Sequence, residues 1–158
     1  MVLEDPLLSE IISCKKFVES VEPRQEKSQY NQKQQTIKIT WWWYSFEIFT
    51  RRNEDLPMNF SVWLIRKWPE QNIILCRYNW NHWEHRNPDW ELIHWCHKHM
   101  YNPDFVQQWF TDDAFAESTQ QYMTLEQALF QLMKDYNIYD ENWKLENIPQ
   151  RWNLFDIQ

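Results

Sequence analysis

The chain has 158 residues, with twelve tryptophans, no glycine and a net charge of −7. Glycine normally makes up about 7% of a protein, and it supplies the positive-φ backbone that phosphate-binding loops and the nucleophile elbow of α/β-hydrolases require. Its absence excludes P-loop enzymes, enzymes with glycine-rich dinucleotide-binding loops, and α/β-hydrolases. The length predicts a single domain, residues 1–158.

The start of the chain has no feature of a secreted or membrane protein. It lacks the basic start and apolar stretch of a signal peptide, and no apolar run in the sequence approaches the roughly 18 residues of a membrane span. The three cysteines, Cys14, Cys76 and Cys96, are too few and too widely spaced for a disulfide framework. These observations predict a cytoplasmic protein with free thiols and no membrane contact.

The first predicted element is an N-terminal helix over residues 1–22. Asp5-Pro6 is typical of a helix start. One apolar stripe follows, formed by Leu7, Leu8, Ile11, Ile12 and Val18. The polar stretch from Arg24 to Gln35 predicts a loop or the extension of a strand end.

A sheet is predicted over residues 36–80, because the apolar period changes to two at Thr36 and the segment is rich in aromatic and β-branched residues. The predicted strands are 36–44, Phe46 to Arg51, Phe60 to Trp68 and Ile73 to Trp80. Their short connections favour antiparallel neighbours. The expected fold is therefore α+β: an antiparallel meander of about four to five strands, flanked by an N-terminal and a C-terminal helix. The core tryptophans are predicted to include Trp41, Trp43, Trp63 and Trp80.

The C-terminal part begins with a predicted helix over residues 124–136, where Thr124 and Gln127 form a capping box before an apolar stripe. Residues 137–158 are an aromatic tail that is expected to wrap on the domain or to dock on a partner. Residues 101–158 carry the whole net negative charge, while the first hundred residues are neutral. This half offers an acidic face to a basic partner, and the neutral half permits a local basic cleft.

All five histidines lie within a histidine-rich segment, residues 81–103. The imidazole pKa lies near neutrality, so two histidines can act as base and acid in one reaction cycle, as in metal-independent RNA phosphodiester cleavage. We predict that His97 and His99 form this pair and that no cofactor is needed. The residues predicted to bind or stabilise phosphate are Arg86, Lys98 and Arg77. If residues 97–99 form a strand, the two histidines share a face and Lys98 points away.

Other interpretations of the same segment remain open. His82 and His85, with Cys96 and His97, have spacing that permits a metal site. Trp83, Trp90 and Trp95 permit base stacking, whereas the histidines can equally be structural. A non-enzymatic module that engages a protein partner or a metal is therefore the alternative to an RNA-directed enzyme.

Three motifs and the closing amphipathic helix resemble the TumE-like toxin proteins of prokaryotic toxin–antitoxin pairs. The motifs are Cys76-Arg77-Tyr78-Asn79-Trp80, Arg86-Asn87-Pro88-Asp89 and Trp95-Cys96-His97-Lys98-His99. The resemblance implies a small α+β protein that acts against its host cell and is neutralised by an antitoxin encoded beside it, but it does not by itself establish the reaction. It carries over to Tyr78, Trp80, Arg86, His97, Lys98 and His99. With Trp95, Tyr78 completes the predicted substrate-binding set. The middle motif departs from the family pattern, because it lacks an alanine and a following pair of histidines.

Overall fold

The computed structural model describes residues 5–27, 31–69, 72–80, 84–101, 115–142 and 144–145. These residues form two helices, α1 (Asp5–Ser13) and α2 (Leu125–Asp135), and eleven strands. The strands are β1 (Lys16–Val21), β2 (Gln25–Lys27), β3 (Gln32–Trp41), β4 (Tyr44–Asn53), β5 (Phe60–Lys67), β6 (Ile73–Trp80), β7 (His85–Arg86), β8 (Leu92–Ile93), β9 (His97–Met100), β10 (Ala116–Ser118) and β11 (Ile138–Tyr139).

Nine of the described strands form one mixed sheet, in the order β10-β9-β6-β5-β4-β3-β1-β11, with β2 paired to β3. Strands β3 to β6 are antiparallel neighbours in chain order. The parallel pair is β1 with β11. Strands β7 and β8 form a separate two-stranded hairpin. The sheet therefore has a meander at its centre and short strands at both edges.

The core lies between one face of the sheet and the helices. On the sheet side it contains alternate residues of the central strands, such as Ile37, Phe46, Ile48 and Leu64. Helix α2 buries its apolar stripe against them, namely Ala128, Leu129, Leu132 and Met133. The predicted start of this helix is confirmed: Thr124 is the N-cap, and its hydroxyl accepts a hydrogen bond from the Gln127 amide at 3.2 Å.

The prediction of a four-to-five-stranded meander flanked by two helices is wrong, because the sheet is about twice that size and mixed. The added edge strands β1, β9, β10 and β11 are two to six residues long. Such short segments show too few alternations for an apolar period of two to emerge. The polar stretch 24–35 contains β2 and the first residues of β3, so it extends a strand.

The N-terminal helix is shorter than predicted, since α1 ends at Ser13 and the following residues form β1. Lys16 is the cause of the change at this point. Its buried ammonium donates to the carbonyls of Ile12, Cys14 and Tyr136, at 3.1, 3.0 and 2.9 Å. These bonds hold the chain in a turn after the helix. Val18 is buried as a residue of strand β1 and not as part of a helical stripe.

The placement of the tryptophans differs from the prediction that most belong to the core. Trp80 is buried and Trp41 packs against the core, but Trp43 is 74% exposed. Trp43 and the 78% exposed Trp42 form the two-residue connection between β3 and β4, and Trp42 has φ of 52°. The chain turns before Trp43, so the alternation that predicted its burial no longer applies.

Among the described residues, no helix is long and apolar enough to cross a membrane. Of the predicted aromatic tail, Ile138 and Tyr139 are buried in β11. Residues 146–158 of that tail lie outside the described residues, as do His82 and Trp83.

Candidate functional site

Alternation along β6 and β9 divides the predicted site residues between the two faces of the sheet. Tyr78 and Lys98 lie on the helix side, where both donate to the Asp135 carboxylate of α2, at 2.5 and 2.7 Å. The Lys98 ammonium also lies 4.5 Å from the centre of the Tyr78 ring. His97 and His99 share the opposite face, because one residue separates them in β9. Lys98 and Tyr78 are therefore not part of the histidine group.

Four polar side chains form a row across four neighbouring strands on the histidine face. Arg51 of β4 pairs with Ser61 of β5, Ser61 pairs with Asn79 of β6, and Asn79 pairs with His97 of β9. Together with Arg77, Glu84 and His85 they line a cavity of about 180 Å³, which we call the histidine cleft. Sheet register therefore brings together residues that are up to 46 positions apart in sequence.

His85 reaches the cleft from the β7–β8 hairpin. Its ring centre lies 5.9 Å from that of His97 and 4.7 Å from that of His99, while the His97 and His99 rings are 4.9 Å apart. His85 is half-buried, whereas His97 and His99 are buried. His85 is thus the imidazole of the three that is most open to solvent.

Asn87 fixes this hairpin to the edge of the sheet. It is 3% exposed, and its side-chain amide donates to the Ala116 carbonyl at 2.9 Å, while its oxygen accepts from the Ala116 amide at 2.8 Å. The side chain thus replaces a strand partner for β10. Its backbone also accepts from the Trp90 amide and donates to the Glu91 carbonyl, which closes the hairpin turn.

Hydrogen bonding fixes the orientation of the His97 ring. Its Nδ1 lies 2.9 Å from the Trp95 carbonyl, which can only accept, so Nδ1 carries the proton. Nε2 of the neutral ring is therefore an acceptor, and the Asn79 side-chain amide donates to it at 3.4 Å. Trp95 presents its carbonyl from a backbone with φ of 64°. Non-glycine residues with such backbone strain cluster at functional sites.

The pKa of His97 lies below its ordinary value of 6.5. Burial is the main cause, because it disfavours the charged imidazolium, and the nearby charges of His85 and Arg77 act in the same direction. The hydrogen bond to the Trp95 carbonyl opposes the shift. His97 is thus a neutral imidazole at pH 7, with a lone pair on the nitrogen that lines the cleft.

Arg77 occupies a central position beside the histidines. Its Nη2 donates to His99 Nε2 at 3.2 Å, and its guanidinium carbon lies 5.3 Å from the Trp63 ring centre. Arginine keeps its positive charge at every relevant pH, so Arg77 and Arg51 outweigh the single carboxylate of Glu84 in the cleft lining. The cleft is therefore locally cationic in an acidic protein.

Besides Tyr78 and Lys98, two further predicted site residues, Arg86 and Trp95, lie outside the cleft. Arg86 is exposed, and its guanidinium carbon lies 5.9 Å from the Trp90 ring centre. Trp95 and Trp90 are 71% and 76% exposed, so neither side chain packs in the site. Trp95 contributes to the site through its backbone carbonyl.

The members of the alternative metal set are not all brought together. Cys96 lies on the helix side, where its thiol bonds to the Tyr122 carbonyl at 3.1 Å, away from His85 and His97. His82 lies outside the described residues. Within the part of the chain that the structure describes, no group of three or more His, Cys, Asp or Glu side chains is arranged to hold a metal ion.

Sequence reasoning missed Ser61, Asn79 and Asn87, and it did not place Arg51 beside the histidines. Asn87 belongs to the Arg86-Asn87-Pro88-Asp89 motif, in which the sequence analysis assigns a site role to Arg86 alone. Arg51, Ser61 and Asn79 lie in strands that were predicted, but only the register between those strands shows that they meet. The sequence of a single strand does not determine how it pairs with its neighbours.

A larger cavity, of about 420 Å³, lies elsewhere, between the ends of β1 and β3 and helix α2. Its charged lining residues are Glu22, Arg24, Glu126 and Lys144. Among its described lining residues there is neither an imidazole nor a thiol, whereas the smaller cleft holds two imidazoles, so we place histidine acid–base chemistry in the smaller cleft.

Comparisons with known proteins identify no relative: no family model, no curated protein and no solved structure matches the chain.

Proposed function

We propose that this protein cleaves RNA phosphodiester bonds by metal-independent acid–base catalysis in the histidine cleft. The observation that carries the proposal is the neutral, buried imidazole of His97 facing the same cavity as His85 and two arginines. This arrangement supplies a base, a second proton-transfer group and a cationic phosphate site within one cavity.

In the proposed reaction, the long 3.4 Å hydrogen bond from Asn79 to His97 Nε2 opens, and Nε2 takes the proton of a ribose 2′-hydroxyl. The 2′-oxygen then attacks the adjacent phosphorus. The bond from phosphorus to the 5′-oxygen breaks, and protonated His85 gives its proton to that leaving oxygen. Arg77 and Arg51 stabilise the negative charge of the pentacoordinate phosphorus. The half-buried position of His85 supports its role as acid, since the imidazolium keeps contact with water.

His99 has a different role in this proposal. It is 1% exposed, and its Nε2 accepts from Arg77. We assign it the positioning of Arg77, so the acid–base pair is His97 with His85 in place of the predicted His97 with His99.

The test is a cleavage assay on a fluorescently labelled single-stranded RNA with purified wild type and the variants His97→Gln and His85→Gln. Each variant is expected to lose about 10²- to 10⁴-fold in rate, the usual contribution of a general acid or base. The matched control is His94→Gln, because His94 is exposed and does not line the cleft. Since His94 lies 3.6 Å from the cleft residue Glu84, Glu84→Gln is assayed beside it to separate an effect passed through that pair. Unchanged activity of both cleft variants would refute the proposal, as would a wild type that leaves the RNA intact.

The biological setting follows from the resemblance to TumE-like toxins alone. We propose a growth-inhibiting protein that is neutralised by an antitoxin encoded beside it. Controlled expression of wild type and of His97→Gln tests this setting. Growth arrest and RNA loss with wild type only would support it, whereas no arrest with wild type contradicts it.

The exposed tryptophans favour a second candidate function, a non-enzymatic module that engages a protein partner. Trp42, Trp43, Trp90 and Trp95 are each more than 70% exposed. Exposed aromatic groups of this kind are enriched where proteins meet. Under this alternative, growth arrest is expected to survive His97→Gln and to be lost when exposed tryptophans are replaced by serine.

A further inference from the structure

A second row of side chains lies beside the cleft on the same face of the sheet. Phe49 of β4 pairs with Trp63 of β5, Trp63 with Arg77 of β6, and Arg77 with His99 of β9. The Phe49 and Trp63 rings meet edge to face at 6.1 Å, and both are half-buried. This row presents two aromatic rings and a planar guanidinium next to the cleft.

We propose that the cleft and this row together bind one unpaired ribonucleotide, with its base against Trp63 and its 2′-hydroxyl at Asn79. The inference rests on the proposed RNA cleavage and assigns its substrate as single-stranded RNA. It adds two recognition elements: a position at Trp63 where the base stacks, which we call the base seat, and a contact at Asn79 that distinguishes RNA from DNA.

The size of the cleft supports a base seat outside it. A cavity of about 180 Å³ is smaller than the roughly 300–1,000 Å³ of pockets that enclose a whole small molecule. A phosphate with part of its ribose fills it, so the base lies on the neighbouring surface. Trp63 is two residues from Ser61 along β5, about 7 Å, which is the scale of a single nucleotide.

Arg77 lies between the phosphate-binding cleft and the base seat at Trp63. It lines the cleft and also approaches the Trp63 ring, with 5.3 Å between its guanidinium carbon and the ring centre. A phosphate bound by Arg77 therefore carries its base toward Trp63. Aromatic rings and arginine planes both stack on bases, and they reach only bases that are not already paired in a duplex.

Asn79 provides the second recognition element. Its side-chain NH₂ group points to His97 Nε2, which leaves its oxygen Oδ1 directed elsewhere. Asn79 is 1% exposed and lines the cleft, and Oδ1 has no hydrogen-bond partner among the described residues. A buried acceptor without a donor is unfavourable. In the bound ribonucleotide the 2′-hydroxyl donates to Oδ1. Rotation about its C–O bond then turns the same proton toward His97 Nε2, the proposed base, once the Asn79 NH₂ group has left that nitrogen.

Binding of small ligands without a leaving group tests this inference separately from cleavage. The probes are adenosine 3′-monophosphate, 2′-deoxyadenosine 3′-monophosphate and inorganic phosphate, titrated by calorimetry. Wild type is expected to bind the ribonucleotide most tightly and phosphate most weakly. Equal affinity for all three would overturn the proposal.

The variants separate the two recognition elements. Trp63→Ala is expected to weaken both nucleotides about tenfold or more without changing phosphate binding, since stacking contributes to each base. Asn79→Ala is expected to remove the preference for ribose over deoxyribose. Trp43→Ala is the matched control, because Trp43 is exposed at the far end of β4 and should leave all affinities unchanged. Circular dichroism confirms that each variant is folded.

The possible failures are distinguishable. If the binding pattern appears but RNA is not cleaved, the ribonucleotide site stands and the catalytic proposal falls. If RNA is cleaved but Trp63→Ala and Asn79→Ala change neither affinity, the catalytic proposal stands and this inference falls.

Discussion

The position of His97 links ionisation to stability, because its pKa is below the ordinary 6.5 in the folded protein. Below pH 6.5 the unfolded chain therefore binds a proton at this residue more readily than the folded chain does. The contribution of the neutral ring to stability is fully present above pH 6.5 and is lost as the pH falls through the folded pKa. Acid should therefore weaken the fold through this residue.

We expect the free energy of unfolding of wild type to fall more steeply between pH 7 and pH 5 than that of His97→Gln, whose side chain does not titrate. Urea denaturation at several pH values measures the difference. Identical pH slopes for the two proteins would contradict the pKa direction. His94→Gln is the control, because His94 is exposed.

Lys98 and Asp135 form an ion pair on the helix side of the sheet. Although burial acts to raise it, the pKa of Asp135 is lowered by hydrogen bonds from Lys98 and Tyr78. The Lys98 side chain is 11% exposed, so its ion pair with Asp135 is largely shielded from water. Replacing Lys98 leaves a partly buried carboxylate with one donor fewer.

Lys98→Met should reduce stability by about 1–3 kcal/mol, the typical effect of removing one partner of a buried polar pair. It should leave the rate of RNA cleavage within about twofold, because Lys98 lies on the helix side of the sheet. Thermal unfolding and the cleavage assay measure the two effects. A large loss of rate with unchanged stability would return Lys98 to a phosphate-binding role.

At the scale of elements, the β7–β8 hairpin is the part of the site with the least support from the sheet. It brings His85 over the sheet face, and two hydrogen bonds between the Asn87 side chain and the Ala116 backbone, one in each direction, hold it in place. Since β7 and β8 are two residues each, their own pairing is weak. The position of His85 therefore depends on a residue that does not line the cleft.

We expect Asn87→Ala to lower kcat about tenfold or more and to weaken the limb of the pH profile that depends on the acid His85, while the limb that depends on the base His97 is retained. The reason is that His85 is displaced but His97 is not. Asn87→Asp should be at least as damaging, because a carboxylate oxygen replaces the donor and faces the Ala116 carbonyl and the Glu91 carboxylate in a buried position. Steady-state kinetics measure both variants, and equal activity of wild type and Asn87→Ala would show that the hairpin needs no such anchor.

The sequence predicted elements well where alternation extends over eight residues or more. The central strands β3 to β6 were found in this way, and α2 was found from its cap and its stripe. Strand β1 was missed because Val18 fits the spacing of a helical stripe, and the buried Lys16 that ends the helix is a tertiary effect. Alternation also placed His97 and His99 on one face. It did not identify Asn79 or Arg51, because their meeting depends on pairing between strands.

At the scale of the whole molecule, an acidic chain carries a small cationic site. The net charge is −7, and all of this acidic excess lies after residue 100, whereas the cleft holds Arg51 and Arg77. Long-range repulsion opposes nucleic acid except where these arginines reach a phosphate. Binding should therefore depend on one nucleotide and its neighbours rather than on a long backbone track.

The salt dependence of RNA binding measures how many cationic side chains contact phosphates. With two cations in contact with phosphate, a plot of log K against log salt concentration should have a slope of about −1.4, and of about −0.7 for Arg51→Gln. Fluorescence anisotropy with a short single-stranded RNA provides the binding constants. A slope several times steeper would show an extended phosphate track outside the cleft.

The row Arg51, Ser61, Asn79 and His97 takes one residue from each of four strands, and this has a consequence for insertions and deletions. A one-residue deletion within a strand turns its side chains to the opposite face of the sheet. A deletion close to one of these residues would thus remove its side chain from the cleft and place a polar group against the core. The site thus depends on the register of each strand as much as on its histidines. Length variation in this protein should therefore be confined to the connections between strands.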